Sequence, residues 1–153
     1  MQAIESFHRV TKGGKYLSNE DWQPYRATLA SGISKELDSG HRESLKSRIK
    51  YGNEYSLRKR IGELLETLDE STSSLLTPTD KFFTGVVVDT RNYLTHYDDE
   101  LKDVALKDAD LYWANQRLKI LITILLLKEI GIPEDLIVNS MKENNKISQI
   151  FKK

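Results

Sequence analysis

Apolar residues recur three and four positions apart along nearly the whole chain, and stretches alternating with period two are scarce, so the pattern predicts an all-α protein. A first helix over about 2–11 carries Ala3, Ile4, Phe7 and Val10 on one stripe and stops at Gly13-Gly14, where continuation is costly. A second, over about 22–37, shows Trp22, Tyr25, Leu29, Ile33 and Leu37, and tolerates Pro24 only in its first turn. Ser39-Gly40 punctuates, a short helix with Leu45 and Ile49 follows, and Gly52-Asn53 breaks the chain again. From Tyr55 to Leu68 the residues Leu57, Ile61, Leu64, Leu65 and Leu68 define a buried face. Thr77-Pro78-Thr79-Asp80 reads as a helix start, with Thr77 as cap, Pro78 in the first helical position and Asp80 facing the positive end of the dipole; that helix runs to about His96. An acidic loop, Asp98 to Asp110, leads into the most apolar helix, about 110–130, which ends at Gly131 with Pro133 just beyond. Pro133-Glu134-Asp135 opens a last short helix with Leu136, Ile137 and Met141, and residues 143–153 are expected to fray.

A chain of 153 residues fits one domain, and 39% hydrophobic with 30% charged residues supports a packed core rather than disorder. Lys plus Arg and Asp plus Glu number 23 each, so no net field attracts nucleic acid or an anionic membrane, and any polyanion site must be local. The absence of cysteine removes disulfides, thiolate nucleophiles and cysteine-bound metals, and it fits a reducing compartment. Met1 to Val10 lacks the continuous apolar stretch of an export signal. Ile120 to Leu127 is far shorter than the roughly 20 apolar residues that span a bilayer, so the expected location is cytoplasmic, without a membrane partner.

Candidate chemistry concentrates at the end of the 78–96 helix, where Arg91-Asn92-Tyr93-Leu94-Thr95-His96 follows the apolar run Val86-Val87-Val88. At 100° per residue Asp89, Asn92 and His96 share a face, whereas Arg91 projects about 140° from His96. The plainer readings are a helix-end imidazole on terminal carbonyls for His96 and an ion pair with Asp98 or Asp99 for Arg91. Arg-x4-His with Asn directly after the Arg resembles the Arg-x4-6-His signature of the HEPN superfamily. Ile4-Glu5-Ser6-Phe7-His8-Arg9, Tyr55-Ser56-Leu57-Arg58-Lys59-Arg60-Ile61 and Leu125-Leu126-Leu127-Lys128-Glu129-Ile130-Gly131-Ile132 are similar, in the same order, to the Apea-like HEPN group, so the likeness covers most of the chain.

The resemblance implies a bundle of four core helices plus short additional ones, spanning 1–153 and often forming the C-terminal part of a longer defence protein. It also implies metal-independent endoribonuclease activity in anti-phage defence or toxin-type abortive infection, at a composite site in a homodimer, with no cofactor. On that reading Arg91, Asn92 and His96 are catalytic: His96 moves protons, Arg91 holds phosphoryl oxygens, and Asn92 orients His96 or a ribose hydroxyl. RNA supplies its own nucleophile, the 2′-hydroxyl, so proton transfer and charge stabilisation suffice.

The basic region Arg42 to Arg60 offers a phosphate track, with Arg48, Lys50, Arg58, Lys59 and Arg60 as contacts and Tyr51 and Tyr55 as stacking surfaces for unpaired bases. An ordinary solvated helix face is the plainer alternative. No metal site is assigned, because no two histidines have a short ligand spacing and Asp98-Asp99-Glu100 lacks the spacing of a calcium loop. A non-catalytic helical module for dimerisation, RNA binding or partner binding is the alternative from a different class.

Overall fold

The structure, a computed structural model, describes residues 1–77 and 83–152. Its helices are α1 (Gln2–Lys12), α2 (Asn19–Ser31), α3 (Ser39–Lys50), α4 (Leu57–Leu65), α5 (Glu70–Leu76), α6 (Phe83–His96), α7 (Asp108–Glu129), α8 (Glu134–Glu143) and α9 (Asn145–Ile150), with one 3-10 turn at Asp99–Leu101. The described residues contain no strand, only an isolated bridge between Lys15 and Glu54, so the all-α expectation holds. The chain divides into two compact units, His8–Ser56 and a larger one of Met1–Phe7 with Leu57–Lys153.

The larger unit carries the hydrophobic core. Ile61 and Leu64 of α4, Leu76 of α5, Val87 and Val88 of α6, Leu121 and Ile124 of α7, Ile137 and Met141 of α8 and Ile150 of α9 are all buried. Each such side chain contributes roughly 1.5–3 kcal/mol relative to exposure. Helix α7 is the long element, and its end follows from the sequence. Gly131 takes φ 88°, a left-handed conformation that suits glycine, and the N–H groups of Gly131 and Ile132 donate to Lys128 and Leu127 carbonyls at 2.9 and 3.1 Å.

A polar clamp holds the turn after α7. Lys128 donates to the Thr67 carbonyl at 2.8 Å and pairs with Glu134, whose other carboxylate oxygen accepts from the Asp69 N–H at 2.9 Å. Burial alone raises the Glu134 carboxyl. Hydrogen bonds from Lys128, Thr72 and the Asp69 backbone, with the Lys128 charge, outweigh that and hold it below the usual carboxylate range.

The smaller unit is built differently, since none of the fully buried hydrophobic residues belongs to 8–56. Its centre is the buried amide of Asn53, which donates to the Leu17 carbonyl at 2.8 Å and accepts from the Leu17 N–H at 2.9 Å. Tyr16 N–H donates to the Asn53 carbonyl and Tyr55 N–H to the Gly14 carbonyl, and the Tyr16 and Tyr55 rings meet edge-on at 4.7 Å. Helices α2 and α3 pack together, capped by Ser18 and Asp38, which accept from the Asp21 and His41 N–H groups.

Several expectations change. Ala3 and Val10 leave the α1 stripe, Val10 being 86% exposed, whereas Ile4 stays buried and His8, one turn on, is buried as well. Helix α2 starts earlier and ends earlier than 22–37, its Ser18 cap placing Pro24 beyond the first turn. Ser39-Gly40 opens α3 instead of breaking the chain, because Asp38 caps it. Thr77 caps the end of α5, while Pro78, Thr79 and Asp80 of the expected helix start lie outside the described residues. The tail expected to fray forms α9: the Asn144 side chain accepts from the Lys146 and Ile147 N–H groups, and Ile150 is buried.

Glu134→Gln should lower stability by about 1–3 kcal/mol at neutral pH, through the charge-assisted bonds it weakens. Because the folded pKa is depressed, the wild-type advantage is complete above the unfolded carboxylate value of about 4.3 and fades as pH falls through the lower folded value. Urea denaturation of both proteins from neutral to acidic pH measures the gap. A gap that stays constant to low pH contradicts the clamp.

Candidate functional site

Helix α6 contains three consecutive valines, poor helix formers by propensity, yet burial of Val87 and Val88 overrides that preference. Thr90 then fixes its rotation. Its buried hydroxyl donates to the Val86 carbonyl at 2.7 Å and accepts from the Leu106 N–H at 2.9 Å, tying the segment after the 3-10 turn to α6.

With that rotation set, the two sides of α6 carry different chemistry. On one side Asp89 accepts from Arg58 of α4 at 2.8 Å, and a Cβ at Gly85 would sit 3.8 Å from the same guanidinium. Asn92 and His96 continue this face. His96 is the last residue of α6 and is exposed; the chain turns at Tyr97, whose φ of 52° is unusual for a non-glycine residue.

On the other side Val87, Thr90, Arg91 and Leu94 face Ala114, Asn115 and Leu118 of α7 across a cavity of about 200 Å³. Arg91 is half-buried there, and its Nη1 donates to the Asn92 side-chain oxygen at 3.1 Å. Its backbone carbonyl accepts from the Thr95 hydroxyl at 2.7 Å. Arg91 and Asn92 are thus brought together, while His96 is not among the residues lining the Arg91 cavity.

The residues expected to form a phosphate track fall into both units. Arg48 and Lys50 end α3 in the smaller unit and are exposed, with the Lys50 ammonium 5.6 Å from the Tyr51 ring. Tyr55 is half-buried and its ring engages Tyr16 and His8 edge-on, whereas Tyr51 is 57% exposed, so Tyr51 is the ring open to stacking. In the larger unit Arg58 pairs with Asp89 and Lys59 with Glu63 at 2.9 Å. Arg60 is fully buried and so leaves the surface track, because apolar periodicity places it beside Ile61 and Leu64 inside α4.

Compared with known families, residues 1–136 match the profile of the Apea-like HEPN family. The chain belongs to that family. No curated protein and no solved structure matches it. The HEPN match spans α1 to the start of α8 and contains Arg91, Asn92 and His96. Among the described residues of this HEPN chain, no helix is long and apolar enough to cross a membrane, and no three His, Asp or Glu side chains group as metal ligands.

Thr90 and Asn115 stand out only in the structure. Thr90 has a faint mark in the sequence, a hydroxyl inside an otherwise apolar run; Asn115 has none, since a polar residue in α7 reads as solvent-facing. Thr90→Val should cost about 1–3 kcal/mol by leaving the Leu106 N–H without its acceptor. Arg58→Met, which breaks an ion pair whose arginine is 56% exposed, should cost under about 1 kcal/mol. Chemical denaturation of the two variants compares them, and an Arg58 effect as large as that of Thr90 contradicts this account of what orients α6.

Proposed function

We propose that this HEPN domain is an endoribonuclease that cuts RNA by attack of the 2′-hydroxyl on the adjacent phosphate, without a metal, at a site completed by a second copy of the chain. Family membership supports an RNA-related or nuclease module. The observation that carries the finer reading is the end of α6, where an exposed imidazole lies one turn beyond an asparagine that holds a guanidinium at 3.1 Å.

A general base removes the 2′-hydroxyl proton, O2′ bonds to phosphorus, and the P–O5′ bond breaks as an acid returns a proton to O5′. The products are a 2′,3′-cyclic phosphate and a 5′-hydroxyl. An imidazole can serve as base or acid near neutral pH. The Arg91 guanidinium binds the equatorial phosphoryl oxygens, where charge develops. Within one chain Arg91 turns toward α7 and His96 toward solvent, so the reading takes Arg91 from one protomer and His96 from its partner across a twofold axis. Cellular roles in anti-phage defence or toxin-type abortive infection follow from the resemblance.

A second reading, a non-catalytic module for dimerisation, RNA or partner binding, is favoured by the same divergence of Arg91 and His96 within a single chain. Incubating the purified chain with single-stranded and structured RNA in EDTA separates the two. Nuclease action predicts cyclic-phosphate products, a rate lower by about 10²–10⁴ in His96→Ala, and a loss of about 10²–10³ in Arg91→Ala. Intact RNA with all three proteins, or cleavage only with added divalent metal, contradicts it.

A further inference from the structure

The cavity between α6 and α7 has no part in proton transfer, yet Arg91 lies in its wall. We infer that it is a base-selective pocket, which takes one unpaired nucleobase of RNA next to the phosphate held by Arg91, and that Asn115 reads the edge of that base. The inference rests on the nuclease reading for the identity of the polymer, and on the cavity itself for the rest.

At about 200 Å³ the space lies below the roughly 300–1,000 Å³ of drug-sized ligand sites, so it suits a single flat ring rather than a dinucleotide or a large cofactor. Its walls are mainly apolar, with Leu94, Leu106, Leu111 and Ala114 among them, which suits the face of a ring removed from water. Two of the polar side chains in the lining have no donor left, since the Thr90 hydroxyl donates to the Val86 carbonyl and the Thr95 hydroxyl to the Arg91 carbonyl. Asn115 is exposed at the cavity and makes no side-chain hydrogen bond to another described residue.

An asparagine amide presents a donor and an acceptor side by side, and so do the edges of unpaired bases that proteins read in single-stranded RNA. The Arg91 Nη1 is committed to Asn92, and the guanidinium keeps further N–H donors for a phosphate oxygen. Base and phosphate are neighbours in a nucleotide, as the cavity and Arg91 are here. A wholly apolar pocket would hold any ring; one polar reader at the rim makes it selective.

Binding of the four homopolymeric pentaribonucleotides to His96→Ala protein tests this without any need for turnover, with an oligomer carrying one central abasic ribose as a control. One base should bind about tenfold more tightly than the weakest, and Asn115→Ala should bring the four to near parity. Ala114→Met, which fills the space, should weaken the preferred oligomer to the level of its abasic counterpart. Circular dichroism and thermal melting confirm that each variant is folded, and Asn115→Ala, a change on an exposed helix position, keeps the test intact if Ala114→Met misfolds.

Equal affinity for all four bases and for the abasic oligomer overturns the pocket. The two readings fail separately. Cleavage by wild type with no base preference leaves the nuclease standing and removes the pocket, whereas base-selective binding without any cleavage keeps the pocket and removes the nuclease.

Discussion

The helical phase of α6 governs what this chain can do. A helix turns 100° per residue, so once Val87, Val88 and Thr90 are buried the directions of the following side chains are no longer free. Arg91 must look toward α7, and Asp89, Asn92 and His96 must look elsewhere. Residues only five apart in sequence consequently serve different surfaces, and the Asn92 side chain, accepting from Arg91 at 3.1 Å, is the physical link between them.

The rest of the larger unit keeps that phase constant. The Thr90 hydroxyl holds the Leu106 N–H, so the connection from α6 to α7 cannot slide along α6. The far end of α7 is held by Gly131 and by the Lys128–Glu134 clamp, which also engages the Thr67 carbonyl and the Asp69 N–H. These contacts give the cavity beside Arg91 two fixed walls. A cavity walled by rigid helices keeps its geometry better than one walled by loops.

Much of this organisation is legible in the sequence where a single physical cause dominates. Gly131 and Pro133 mark the end of α7, and the spacing of Leu57, Ile61, Leu64 and Leu65 announces α4, although the helix stops at Leu65 instead of running on to Leu68. The all-α class follows from the same periodicity. Where two causes compete, the pattern misleads. Seven residues rich in Ser and Thr form α5 through tertiary burial of Thr72 and Leu76, against weak local propensity. Arg60 looks like part of a basic surface by composition but is buried by its place on the α4 stripe. The tail is polar by composition, yet one asparagine cap and one buried isoleucine order α9. For the site, Arg91, Asn92 and His96 are readable as a motif, and their divergence is readable from helix geometry. The cavity is not, since its walls come from separate helices, from the segment between them and from Met1.

Mixing two inactive proteins tests the central claim, that an arginine and an imidazole which diverge within a chain converge between chains. His96→Ala and Arg91→Ala protomers are combined under conditions of subunit exchange, and RNA cleavage is measured beside each variant alone. A site made of Arg91 from one protomer and His96 from the other predicts recovery of about a quarter of wild-type activity, because half the dimers are mixed and each mixed dimer keeps one intact site of two. If mixed dimers form, as shown by mass, and the blend stays as inactive as its components, the shared site does not exist.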